Sequence, residues 1–437
     1  MAQARCSASD HADATPARRA GVERTPELES GAPRGVPCKT DCFVAIDVSL
    51  WCGARLAGAS PRRERRARRE RTAQLATTGA HRAQGARRDE VERVDLNVRT
   101  PMEDHRSKTT PRARGMIVDN AFTADSLYGV RREPTYSGAL SFLRRKYTRD
   151  LTGVDVAVTG IPLDTATSNR PGTRFGPRAV REASAQLAWN RPYGYEFDPL
   201  DRLAVVDYGD CVWDYGRPEE SPVAIEEHIG RILDAGVTPL SIGGDHFVSY
   251  PILRAVSKRR GKLSLIHFDA HSDTWSDEVG SGRVDHGTMF FHAAREGLVE
   301  PSRSAQIGLR TYNADTLGFQ VLDAPWVHRH GARAVIEHVR NIVGDHEVYL
   351  TFDIDFLDPS FAPGTGTPVC GGMSTAVALE ILRGLQGIAL VGMDVVEVAP
   401  AYDVGEITAL AGATIAQEGL GLIACRPGAP KAREPAG

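Results

Sequence analysis

The sequence predicts an α/β protein, a three-layer α/β/α sandwich on a mostly parallel sheet, preceded by a disordered N-terminal extension. Three observations carry that expectation. From about residue 150, short runs rich in β-branched residues alternate with amphipathic stretches of helical length. The runs are apolar at nearly every position, as strands covered on both faces must be. Residues 1 to about 115 show neither pattern.

That first segment (1–115) is rich in Ala, Arg, Gly, Ser and Thr and has little apolar periodicity, which predicts disorder. Arg62, Arg63, Arg65, Arg66, Arg68, Arg69 and Arg71 cluster within it. No aromatic side chains are interleaved as stacking platforms, so the cluster reads as solvated charge and nucleic-acid binding is not expected. Cys38 and Cys42 have no second ligand pair at zinc-finger spacing and read as incidental thiols. Met116 opens the first stretch with folded character, giving a folded body over 116–430. The net charge of -3 hides an uneven distribution, with arginine concentrated before residue 115 and acids common after it.

The predicted strands are VDVAVTGI (154–161), LAVVDYG (203–209), TPLSIG (238–243), KLSLIHF (262–268), AQIGL (305–309), EVYLTF (347–352) and IALVGMDVVEV (388–398). Helix boundaries are marked between them. Pro177 suits the first turn of one helix, and Ser221 with Pro222 opens another that Gly236 closes. No run of 18 apolar residues and no secretory leader is found, and the seven cysteines form no paired framework. A reduced, cytoplasmic protein without a membrane span is the expectation.

Open α/β sheets bind ligands beyond the carboxyl ends of their strands. Three predicted strands end in potential ligands: His246 follows TPLSIGGD, Asp269, His271 and Asp273 follow KLSLIHF, and Asp353 and Asp355 follow EVYLTF. In extended backbone, alternate side chains share a face, so each set is expected to converge. Singly, each residue also suits a cap, a turn or a solvated loop. Together, four carboxylates and two imidazoles balance two divalent cations, and thiolate-free ligation favours manganese. Two such ions sharing a water would lower its pKa towards neutrality.

The longer strings GTRFGPRAVREAS, GGDHFVSYP, HFDAHSDTW, DHGTMF, TFDIDFLDPSFAPGTGTP and GMDVVEVAPAYD, the last followed by EITALA, resemble the ureohydrolase family of arginases and agmatinases over about residues 130–425. The resemblance implies hydrolysis of a small guanidino compound at a site with two Mn2+ per chain. It implies that Asp269 and Asp353 bridge both ions, with His246 and Asp273 completing one shell and His271 and Asp355 the other. It gives Asp273 the first proton, His286 a proton shuttle, and Glu397 the guanidinium, held by charge-assisted hydrogen bonds. A trimeric or hexameric homo-oligomer is implied as well.

Among substrates the resemblance favours agmatine, giving putrescine and urea, over guanidino acids such as guanidinobutyrate and guanidinopropionate. Charge counting leaves the choice open, because Asn169, Arg170 and Arg174 on one mouth loop face Asp277, Glu278 and Arg283 on another. A catalytically silent binding protein of the same fold, and a deacetylase with a single zinc, are the readings from other classes.

Overall fold

The computed structural model describes residues 118–276 and 282–431, which lie within the compact unit Glu103–Gly437. The expected disorder of residues 1–115, the arginine cluster and the Cys38 and Cys42 thiols fall outside the described residues. Asp277 and Glu278 do too.

The strands are β1 (Lys146–Tyr147), β2 (Val156–Ile161), β3 (Val205–Asp210), β4 (Thr238–Gly243), β5 (Ser264–Phe268), β6 (Ala305–Ile307), β7 (Gln320–Leu322), β8 (Glu347–Asp353) and β9 (Ala389–Val396). They form one sheet in the order β1-β3-β2-β4-β9-β8-β5-β6-β7. Every neighbouring pair is parallel. Seven strands match the apolar runs. β1 and β7 are additions, because two or three half-exposed residues at a sheet edge carry no apolar run to read.

Successive strand residues feed two separate cores. Val156 and Val158 of β2, Ile266 and Phe268 of β5, and Leu350 and Phe352 of β8 face one side, with helices α1 (Gly176–Ser184), α5 (Ala324–Val343), α6 (Thr375–Gly384) and α7 (Ile407–Cys425). Ala157, Leu265 and Tyr349 face the other, with α2 (Ser221–Asp234), α3 (Ser249–Arg260) and α4 (Met289–Arg295). Burial on both faces is why the strands read as continuous apolar runs. Helix α7 is long and apolar enough to span a membrane, but 83% of its most apolar window is buried within the fold. It packs on β9, α1 and α6 as a core helix.

Connections run to one side of β4 until β3, then jump from β4 past two strand positions to β5, and return from β7 to β8 and β9. Chain direction across the sheet therefore reverses around β4, β9, β8 and β5. The carboxyl ends of those four strands form the crevice where such sheets hold ligands.

Helix α2 also buries a histidine away from that crevice. His228 Nε2 lies 2.7 Å from Thr159 Oγ1, and that hydroxyl donates to the Gly209 carbonyl. Nε2 is thus the donor of a neutral ring. Burial, aided by Arg149 and Arg231, pushes the His228 pKa down from 6.5 to about 4. The unfolded chain binds the extra proton between those values, so stability is lost as pH falls from about 6.5 to about 4. His228→Gln is expected to remove on the order of 3 kcal/mol of acid sensitivity. Unfolding free energies across that pH window check this; a slope equal to that of the unsubstituted protein would assign the effect elsewhere.

Candidate metal centre

The turn after β4 depends on Gly244. A Cβ there would stand 2.2 Å from the Leu163 carbonyl oxygen and 2.7 Å from that of Ile161. The close approach lets the Gly244 and Asp245 amides bond to β2 and the residues following it. His246 then opens a single 3-10 turn (His246–Val248) running into α3, and its imidazole lies over the end of β8.

His246 Nε2 is 2.8 Å from Thr351 Oγ1. The Thr351 hydroxyl donates to Asp394 Oδ1 at 2.5 Å, so it accepts from Nε2–H. Asp394 also accepts from Ser249 Oγ and Tyr349 OH, three hydroxyls converging on one buried carboxylate. Nδ1 of His246 is left with its lone pair. It faces Asp269 Oδ2 at 3.0 Å, Asp273 Oδ2 at 2.9 Å and Asp353 Oδ2 at 3.2 Å, yet makes no directed hydrogen bond. A lone pair ringed by three carboxylate oxygens is repulsive unless positive charge stands among them.

Asp269 reaches a second group. Its Oδ1 accepts from the His271 amide and lies 3.2 Å from His271 Nδ1, which is 3.1 Å from Asp355 Oδ2. Asp355 Oδ1 accepts from the Ala270 amide. The six side chains singled out in the sequence therefore stand together as two adjoining groups that share Asp269.

The reason they converge differs from strict alternation along extended chain. Asp273 has φ 52°, a left-handed turn that swings its carboxylate back towards His246 while its carbonyl accepts from the Phe290 amide. Asp355 lies in a 3-10 turn (Ile354–Phe356) whose N-cap is Asp353, Oδ1 accepting from the Asp355 amide at 2.8 Å. Neither turn has a glycine or proline to announce it.

His267 was not singled out in the sequence, and it sits beside the same cluster. Gln306 Nε2 meets its Nδ1 at 3.1 Å, so the ring proton is on Nε2, 2.7 Å from Asp269 Oδ2. His267 is a donor that orients Asp269, and its ring nitrogens are not free for a cation. The alternation of β5 placed this side chain on the site's face; its role depends on Gln306 from β6, 39 residues away.

Electrostatics describe a site built for cations. Burial, and then the crowding of Asp269 and Asp355, raises Asp353 well above the usual carboxylate range. Burial and Asp269 likewise raise Asp273 and Asp355. Burial works against a charged His246; without a cation the three carboxylates outweigh it and draw a proton to Nδ1, raising its pKa well above that of an ordinary histidine, the same pull that a metal ion at the Nδ1 lone pair would satisfy. The donor set of four carboxylates and two imidazoles, with one imidazole lone pair already aimed inward, fits two divalent cations.

Glu397, just beyond β9, has φ 64°. Its Oε1 accepts from the His246 amide at 2.8 Å and lies 3.0 Å from His286 Nδ1. Its Oε2 is buried without a hydrogen-bond partner among the described residues. A Cβ at Gly366 would come within 3.2 Å of that oxygen, so the glycine preserves space for a ligand. Burial works to lower the His286 pKa, and Glu397 outweighs it, raising it to about 9.

A cavity of about 320 Å³ opens onto these groups, lined by Asp273, Asp285, Asp353, His271, His286 and Trp275, with Ser168, Gly287, Thr288 and Thr367. Among the described residues its lining includes no lysine or arginine. The mouth arginines are paired: Arg170 stands over the Tyr402 ring, Arg174 meets Asp164 and Arg283 meets Asp285 of the cavity wall. Asn169 Nδ2 donates to the Gly366 carbonyl.

Comparison with known proteins follows the same lines. The Arginase family profile matches residues 154–421. An agmatinase from Chromobacterium violaceum is 54% identical over 306 residues, 70% of this chain and 95% of that protein. The crystal structure of a hypothetical agmatinase from Burkholderia thailandensis is 57% identical with a TM-score of 0.68, covering 70% of this chain and 97% of its own. Proclavaminate amidino hydrolase from Streptomyces clavuligerus is 36% identical with a TM-score of 0.62, covering 66% and 98%.

Proposed function

The chain belongs to the arginase family, and from that premise we propose that it is a binuclear manganese amidinohydrolase converting agmatine and water to putrescine and urea. The observation that favours the substrate is the cavity lining, which among the described residues carries Asp285 beside the cation-holding carboxylates Asp273 and Asp353 and no guanidinium or ammonium. Agmatine ends in an ammonium, which such a wall favours, whereas a guanidino acid would bring a carboxylate against carboxylates. The relatives named agmatinase support the same choice.

His246, Asp273, Asp269 and Asp353 would hold one cation, and His271, Asp355, Asp269 and Asp353 the other. When bound, the ions supply Lewis-acid activation of water at neutral pH. Glu397 Oε2 accepts a guanidinium N–H and fixes the carbon opposite the carboxylates. Asp273 takes the first proton from the attacking water. His286 moves the second. The C–N bond to the alkylamine breaks as its nitrogen gains both protons, leaving urea and the protonated diamine. The same reading carries the expectations of a homo-oligomer and a cytoplasmic location.

The test is urea release from manganese-loaded protein given agmatine, guanidinobutyrate, guanidinopropionate and arginine in parallel, with metal content measured on the same sample. Agmatine is expected to exceed the acids in kcat/KM by about 10²-fold, close to 3 kcal/mol. Preference for an acid would move the substrate to a sister activity. Two bound ions with no urea from any compound would favour the silent relative.

A further inference from the structure

His286 is 8% exposed, and its Nδ1 is committed to Glu397 Oε1 at 3.0 Å. A shuttle needs its other nitrogen to communicate with solvent, and among the described residues Nε2 forms its hydrogen bonds with Ser168, through two of its atoms. The Ser168 amide donates to Nε2 at 2.9 Å, and the hydroxyl Oγ stands 2.7 Å away. Ser168 itself is exposed and lines the cavity. We propose that Ser168 is a positioning residue that also serves as the proton port of His286, its hydroxyl passing protons between solvent and Nε2. The proposal rests on the amidinohydrolase reading and adds a residue to it.

The two Ser168 groups have opposite effects on the ring. A backbone N–H can only donate, so it favours the neutral imidazole with its proton on Nδ1. The hydroxyl can donate to neutral Nε2 or accept from protonated Nε2, so it serves both states. Glu397 favours the charged ring, with Asp273 and Asp245 adding to it from farther away. His286 is thereby poised between states instead of being locked in one, as proton shuttles require.

The segment carrying Ser168 is pinned on both sides. The Ala166 amide donates to Asp245 Oδ2 at 2.9 Å, the Ala166 carbonyl accepts from the His286 amide, and Asn169 Nδ2 donates to the Gly366 carbonyl at 3.0 Å. In the inward direction a solvent acid protonates Oγ while the original Oγ proton passes to Nε2. Serine is regenerated, the acid becomes its conjugate base, and His286 carries one more proton. The outward direction reverses each bond.

The test compares manganese-loaded wild type, Ser168→Ala and Ser168→Thr with agmatine across pH. Alanine keeps the amide and removes the hydroxyl. Its kcat is expected to fall about 10- to 100-fold with KM within about threefold, and threonine or added imidazole buffer to restore most of the loss. An alanine variant within twofold of wild type, or a loss that neither threonine nor imidazole repairs, would overturn the proposal. A second readout needs no turnover: nitrogen NMR of His286 in protein loaded with diamagnetic Mg2+. Above its pKa, wild type is expected to show a neutral ring protonated on Nδ1, and Ser168→Ala a pKa lower by about half a pH unit, because the charged ring loses its acceptor at Nε2 while the neutral ring keeps the Ser168 amide. An unchanged titration would overturn the proposal even if wild type released no urea, an outcome that by itself sinks only the substrate reading.

Discussion

Asp269→Asn is expected to take metal content from two ions per chain to one or none and to lower kcat/KM for agmatine by at least about 10³-fold, roughly 4 kcal/mol of transition-state stabilisation. The size of the effect comes from its position in both groups. Its Oδ2 is 3.0 Å from His246 Nδ1 and its Oδ1 is 3.2 Å from His271 Nδ1, so one substitution weakens both halves. The amide also puts a neutral group against His267 Nε2–H, which donates to the carboxylate at 2.7 Å. Metal analysis and urea assay on the same preparation check the result. Two retained ions with undiminished turnover would remove Asp269 from its shared place. By contrast, His267→Gln disturbs only the orientation of that carboxylate, an effect of the smaller size typical of groups that orient a ligand.

Glu397→Gln is expected to lower kcat/KM by about 10²- to 10³-fold, about 3–4 kcal/mol, the scale of breaking a buried charged pair. The carboxylate accepts on Oε1 from the His246 amide and from His286, and Oε2, without a partner among the described residues, is the atom proposed to take the guanidinium. A glutamine has a single acceptor oxygen. If that oxygen serves His246 and His286, the amide N–H groups point at the substrate's own donors. The substitution also removes the group that raises His286 to about 9 against burial. His286 then loses its proton at lower pH, so the basic limb of the activity profile moves downwards. Activity within threefold of wild type with an unmoved basic limb would place the guanidinium elsewhere.

The legible part of this site was local. Each liganding string follows an apolar strand, and a strand ending in Asp or a Gly-Gly turn can be read from a dozen residues. Strand β4 was legible to the residue, because Thr238–Gly243 is buried throughout and bounded by glycines. The edge strands β1 and β7 were not, since pairing alone defines them. The left-handed backbone at Asp273 and Glu397 was equally hidden, because non-glycine residues rarely adopt it and nothing nearby signals it.

Charge at the cavity mouth shows the same division more sharply. From composition, Arg170, Arg174 and Arg283 were as available to a substrate carboxylate as the acids were to an ammonium. In the folded chain those guanidiniums meet Tyr402, Asp164 and Asp285, and the first two partners are assigned by contacts that spacing does not encode. Asp285 stays in the wall of the cavity even so.

Apolar periodicity and the polar residues that end it are properties of neighbouring positions, so they determined the layered parallel sheet and placed the candidate ligands at its strand ends. The reach from the end of β4 to β8 and β9 through His246, Thr351 and Asp394, the hold of His267 and Gln306 on Asp269, and the meeting of Ser168 with His286 across 118 residues came from the folded chain alone. Hydrogen-bond direction, ring tautomer and which charge is already paired depend on atoms brought within about 3 Å of one another, and only the packed molecule places them there.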